Sequence, residues 1–187
     1  MTVVTGRDGR LYYKLDSRGS ATDGEEWDDG PGGCVTEICI CHGNGRIHSI
    51  QTTYKRQGTT LVSRLHGGKG DTFDIITLTE PLTWISGYYT ACCLDPEVIP
   101  EAMDDPCELI ASLRFGTDQA TYGPFGSDIG EPFSFKCSRG ISGFHGRSFD
   151  DDGGFLLAIG VYSMSVAKGY VDDEAAMPSL DQLRITG

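Results

Sequence analysis

The chain has 187 residues, a formal net charge of −12, 39% hydrophobic residues and 26 glycines. That length suits one domain with a sizeable core, and the acidic balance without a basic stripe excludes the usual footprint of a nucleic-acid binder. No apolar run reaches the roughly 18 residues a membrane-spanning helix needs, so no membrane insertion is expected.

The N-terminal MTVVTGRDGRLYYK carries no apolar core of signal-peptide length, and a cytoplasmic location is expected. In that setting the seven cysteines read as mostly reduced thiols. A bridge from Cys92 or Cys93 to Cys107 is open, but free thiols are the expectation. Cys39 and Cys41 alternate with Ile38 and Ile40 and therefore share one face of a strand. Cys41-His42 lacks zinc-ligand spacing, and no metal or other cofactor is expected.

Strand candidates follow one another along the chain. LYYKL (11–15) comes first, then VTEICIC (35–41) after Pro31-Gly32-Gly33. HGNG (42–45) turns into RIHSIQTTY (46–54), and LVSRL (61–65) ends at His66-Gly67-Gly68-Lys69-Gly70. TFDIITL (72–78), WISGYY (84–89), LIASLRF (109–115), ATYGPFG (120–126), PFSFKC (132–137), ISGFHG (141–146) and FLLAIGVYSMSV (155–166) complete the series. A spacing of about 8–12 residues per strand, with glycine-rich turns, signals an all-β sandwich, barrel or prism.

A weak internal repeat overlies these strands. Gly70-Asp-Thr-Phe73 recurs as Gly130-Glu-Pro-Phe133, Ile85-Ser-Gly-Tyr88 as Ile141-Ser-Gly-Phe144, and Ile47-x-Ser-Ile50 as Ile110-x-Ser-Leu113. Three sheets around a pseudo-threefold axis explain it better than coincidence. The expected organisation is an N-terminal extension over 1–18 that includes a first strand, one domain over 19–167, and a polar acidic tail over 168–187 that is mobile or peripherally docked.

GEEWDDG (24–30), SIQTTY (49–54), HGGKGD (66–71), WISGYY (84–89), TYGPFG (121–126), EPFSF (131–135), GFHGRS (143–148) and LAIGVY (157–162) occur in this order. As an ordered set they resemble a jacalin-related lectin, closer to the single-chain mannose/glucose-binding branch. The resemblance implies a β-prism of three antiparallel four-stranded sheets. It also implies a sugar held at one end by a first-loop glycine, a final Gly-x-x-x-Asp loop and a variable loop, with no bond broken. A carboxylate there accepts from sugar hydroxyls while backbone N–H groups donate to sugar oxygens.

Carried onto this chain, Gly24 matches the first-loop glycine, with Asp23 where a second glycine is usual. Gly153 opens the final pattern, Gly154 and Phe155 hold the backbone-donor positions, and Leu157 stands where the carboxylate belongs. Phe149, Asp150, Asp151 and Asp152 are inserted after Ser148. In the first-repeat turn, where some family members have a second site, Gly45, Arg46, Ile47, His48 and Ser49 likewise lack a carboxylate. The loop TACCLDPEVIPEAMDDPCE (90–108) is also longer and more acidic than the pattern. The carbohydrate-binding candidates are Gly24, Gly153, Gly154, Phe155, Leu157, Asp151, Asp152 and Tyr89, with Asp150 as a further carboxylate and Tyr88 and Phe149 as further stacking surfaces.

Two functions follow. One is a non-catalytic lectin domain for mannose/glucose-type or complex glycans and glycoproteins, weak at one site and strengthened by assembly into a homo-dimer or tetramer. The other is an interaction module on the same scaffold that no longer binds simple sugars and meets a protein partner through the acidic loops 90–108 and 149–152. An enzyme is disfavoured, because neither a Gly-x-Ser-x-Gly elbow nor a phosphate loop occurs.

Overall fold

The computed structural model describes residues 1–91 and 107–164. Most of the long acidic loop and the C-terminal tail therefore lie outside the described residues. The strands are β1 (Thr2–Thr5), β2 (Leu11–Lys14), β3 (Arg18–Gly19), β4 (Glu25–Asp28), β5 (Cys34–Gly43), β6 (Arg46–Arg56), β7 (Thr59–Val62), β8 (His66–Gly67), β9 (Thr72–Thr77), β10 (Trp84–Ala91), β11 (Glu108–Gly116), β12 (Thr121–Gly126), β13 (Glu131–Lys136), β14 (Ile141–Ser148) and β15 (Leu156–Met164).

All pairings among the described residues are antiparallel, in three sheets. The first runs β1-β2-β15-β14-β4, with β3 also on β15; the second runs β7-β6-β5-β9, with β8 also on β6; the third runs β12-β11-β10-β13. This is the three-sheet prism that the resemblance implies, with short extra strands on the first two sheets. One reason these segments form strands is alternation: in β5, Val35, Ile38 and Ile40 are buried while Cys39 and Cys41 are half-exposed on the other face.

The inward faces build one core around the prism axis. Ile38, Ile40, Ile47 and Ile50 come from the second sheet, Ile85, Ile110, Leu113 and Phe115 from the third, and Phe144, Leu156, Ile159 and Val161 from the first. Each of these is fully buried or nearly so, which at about 1.5–3 kcal/mol per aliphatic or aromatic side chain is the main stabilising contribution.

The repeat is geometrically real. Ser20 N–H donates to the Leu157 carbonyl at 3.0 Å, Gly68 N–H to the His48 carbonyl at 3.1 Å, and Ser127 N–H to the Ala111 carbonyl at 3.0 Å. In each case the preceding residue is a glycine at positive φ: Gly19 at 100°, Gly67 at 105° and Gly126 at 79°. A Cβ on any of the three would collide with the same carbonyl oxygen that accepts the bond. Leu157, His48 and Ala111 are therefore threefold counterparts. Their neighbours repeat too, with Leu156, Ile47 and Ile110 turned into the core.

Candidate functional site

The first loop, Ser20–Gly24, is organised by its own polar groups and by β14. Ser20 Oγ donates to Asp23 Oδ2 at 2.7 Å and accepts the Asp23 N–H at 3.0 Å. Arg147 spends its whole fork here: Nε donates to the Asp23 carbonyl, one terminal nitrogen to the Thr22 and Gly24 carbonyls, and the other to Glu26 Oε1, all between 2.6 and 2.9 Å. A planar guanidinium with five donors suits such multiple carbonyl capture. Arg147 was not among the expected site residues; its place inside GFHGRS was the available signal. Gly24, at φ 67°, packs so closely that a Cβ would lie 2.6 Å from the Ser148 carbonyl oxygen and would strike Leu157 Cδ1.

Leu157 is fully buried. It belongs to a small apolar cluster with Cys107, Leu109, Ala111 and Phe155, roofed by Tyr88 and Phe149. Phe149 and Phe155 meet edge to face at 5.7 Å and 86°. Where the resemblance places a sugar-facing carboxylate, the chain has a second apolar plug. Tyr89 instead turns to the main core against Phe133, while Tyr88 joins the plug, the opposite faces that neighbouring residues of a strand take; the β-bulge opposite them lies on β11, where Ala111 is passed over in the pairing.

The inserted loop closes on itself. Phe149 N–H donates to the Phe155 carbonyl at 3.1 Å, and Gly154 N–H to the Asp151 carbonyl at 2.9 Å. Gly154 and Phe155 are buried, whereas Asp151, Asp152 and Gly153 are exposed. The three aspartates have different partners. Asp150 Oδ1 accepts Ser148 Oγ–H at 2.6 Å and Gly67 N–H at 2.8 Å. Asp152 pairs with Lys69 at 2.8 Å, and that ammonium holds its carboxyl below the usual carboxylate range. The Asp151 carboxylate has no partner among the described residues.

The loop thus leans from the first sheet onto the glycine-rich turn of the second. His48 Nδ1 lies 3.2 Å from the Gly154 carbonyl, so the proton is on Nδ1, and Nε2 is buried with no partner. The threefold relation makes His48, not Ser49, the second-sheet counterpart of Leu157. Beneath this turn, His66 Nε2 donates to Asp29 Oδ1 at 2.8 Å, Tyr54 Oη donates to Asp29 Oδ2 at 2.7 Å, and His66 stacks on Trp27 at 4.0 Å and 11°. Burial and the Asp29 charge push the Tyr54 hydroxyl well above the usual phenol range. This network fixes the first residue of the glycine-rich turn. Among the described residues no group of three His, Cys, Asp or Glu side chains comes together in a metal-binding arrangement.

Comparison with known proteins bears on this frame. The model of the jacalin-like lectin domain matches residues 16–162. An agglutinin of Castanea crenata is 34% identical over 145 residues, which cover 74% of this chain and 43% of that protein. Myrosinase-binding protein 1 of Arabidopsis thaliana is 28% identical over 162 residues, covering 84% of this chain and 32% of that protein. The chain therefore spans less than half the length of these two curated relatives. A mannose-binding jacalin-related lectin from Ananas comosus superposes with a TM-score of 0.68 at 30% identity, over 83% of this chain and 99% of that one. With its three-sheet prism and a family match from residue 16 to residue 162, the chain belongs to the jacalin-like lectin domain family.

Proposed function

We propose that the chain is a non-catalytic carbohydrate-binding domain whose sugar-facing carboxylate is Asp151 of the lengthened loop. The observation that carries this reading is the division of labour among the three aspartates: Asp150 and Asp152 are engaged within the chain, while Asp151 stands exposed beside the open Gly153. A Cβ at Gly153 would meet nothing, so a ligand can approach its backbone closely. The family match and the mannose-binding neighbour support a mannose-type ligand. One charged acceptor contributes about 1.5–3 kcal/mol, so a single site is weak and assembly into a homo-oligomer would supply avidity. Display of the purified domain on a multivalent glycan array, beside Asp151→Asn, tests the reading. Mannose-type signals lost in the variant are expected; signals that survive it refute the role of Asp151.

A second reading is an interaction module on the lectin frame. It is favoured by Leu157, whose burial in the apolar plug removes the expected carboxylate. The relative named for binding myrosinase accords with a protein partner. Absence of any glycan signal from the intact domain would favour this reading.

A further inference from the structure

The end of the prism opposite the loops 20–24 and 149–155 carries a cavity of about 460 Å³. β15 runs from Leu156 at the loop end to Met164 at this one, where Met164 pairs with Tyr12. The walls come from the β1–β2 turn, Gly32-Gly33, the end of β6 and the β13–β14 turn. Asp8, Arg10, Tyr12 and Met164 all lie outside the residues 16–162 that match the family, so the cavity depends on a segment the family pattern does not include.

The β1–β2 turn is fixed from within. Gly6 N–H donates to the Arg10 carbonyl at 2.8 Å, and Gly9 N–H to the Gly6 carbonyl at 2.9 Å. Asp8 Oδ1 accepts the Arg10 N–H at 3.1 Å, and Oδ2 accepts the Tyr12 hydroxyl at 2.7 Å. Burial and the Asp8 carboxylate push that hydroxyl up to about 12, so Tyr12 keeps its proton and remains the donor. The one acid of the wall is thereby turned inward, its side chain 12% exposed. Three exposed cations from separate elements face the same cavity: Arg10, Lys55 and Arg139. Arg10 lies 3.9 Å from Asp8, while Lys55 and Arg139 have no ion-pair partner among the described residues. Glu80 and Asp118 share a neighbouring depression with Arg139, and Asp118 there accepts from Thr83. In a chain of net charge −12, three cations around one committed acid reverse the general balance locally.

We propose that this cavity binds a phosphate monoester of a small molecule through Arg10, Lys55 and Arg139. Two guanidinium groups offer paired donors to phosphate oxygens and the ammonium adds a third charge, which suits a dianion better than a single carboxylate. The volume falls in the range of small-ligand sites and leaves room for the esterified group beside the phosphate. The site stands apart from the carbohydrate reading, whose residues lie at the other end of the prism.

D-Glucose 6-phosphate, inorganic phosphate, acetate and D-glucose are titrated into the full chain, following the amide resonances of Arg10, Gly33 and Gly140. Sodium chloride at about 0.15 M screens general attraction to exposed charges. Both phosphates are expected to move these resonances saturably, D-glucose to leave them in place, and acetate to act far more weakly. Lys55→Gln and Arg139→Gln should each weaken D-glucose 6-phosphate about tenfold or more, whereas Arg64→Gln, outside the cavity wall, should leave the affinity unchanged. No saturable movement with either phosphate, or an equal loss in Arg64→Gln, overturns the site. Acetate acting as strongly as phosphate, or D-glucose moving the same resonances, overturns the phosphate assignment. A mannoside titration read at Asp151–Gly153 reports separately on the carbohydrate site.

Discussion

Leu157→Asp is the change that would restore the carboxylate the family pattern calls for, and the structure makes it destabilising rather than merely functional. Leu157 is fully buried among Cys107, Leu109, Ala111 and Phe155. Losing a buried leucine side chain costs about 2–5 kcal/mol. A carboxylate in the same place adds several kcal/mol unless it takes up a proton. The sum is about 5 kcal/mol or more, against a total stability of about 5–15 kcal/mol for a domain of this kind. Burial raises the folded-state pKa of the introduced carboxyl above its unfolded value of about 3.9, each unit corresponding to about 1.4 kcal/mol. Below pH ~4 both states are protonated and the deficit is the cavity and polarity cost alone; it grows as pH rises toward the folded pKa and is then constant. Urea unfolding at pH 4 and pH 7, followed by tryptophan fluorescence and compared with Leu157→Asn, measures this. The asparagine variant should lose about the same stability at both pH values, and the aspartate variant should lose distinctly more at pH 7. An aspartate variant as stable as the parent at pH 7, with a gain in mannoside affinity, would show that position 157 faces an open pocket and would refute the argument.

Other outcomes follow from the same geometry. Asp29→Ala leaves Tyr54 and His66 without their buried acceptor and should cost about 2–4 kcal/mol in urea unfolding, with increased hydrogen exchange at the Gly67 amide as the local sign. His145 is buried, with Lys14 nearby, and both hold its pKa below the usual imidazole value against the hydrogen bond to the Leu15 carbonyl. The unfolded chain therefore binds the proton first, so stability falls as pH drops from about 6.5 toward the folded pKa, and His145→Gln should flatten that limb of the curve. Gly160→Ala would place a methyl 2.5 Å from His145 Nε2 on a ring already held by Leu15, and should cost about 1–3 kcal/mol. Arg147→Lys keeps the charge but loses the fork that grips the Thr22, Asp23 and Gly24 carbonyls; faster exchange across 20–24 should appear, with mannoside affinity reduced.

The fold was legible because its signals are local. Alternation in VTEICIC and glycine at the turns specify strands whatever their neighbours, and Ile47-x-Ser-Ile50 already matched Ile110-x-Ser-Leu113. The third copy, Leu156-Leu-Ala-Ile159, is masked in the sequence because its alanine replaces the serine that marks the other two. At the site, the absence of a carboxylate at Leu157 was readable, but its destination was not. Whether an outward leucine leaves an empty pocket or fills one depends on Phe149, Phe155 and β11, which only folding brings together. The three aspartates look alike in sequence. Their different roles arise from Gly67, Ser148 and Lys69, two of which are more than 80 positions distant. The opposite directions of Tyr88 and Tyr89, by contrast, follow from simple alternation with the buried Ile85.

The three glycines at positive φ, each pressed against a carbonyl, have a consequence for how such a domain can change. They hold the backbone of each sheet end through contacts in which the outward side chain takes no part. Leucine, histidine and alanine have accordingly come to occupy the same place three times over without disturbing Leu156, Ile47 and Ile110 beneath them. The prism behaves as three sockets on one frame, in which a residue at the rim can be exchanged for another chemistry while the register of the sheet stays as it was.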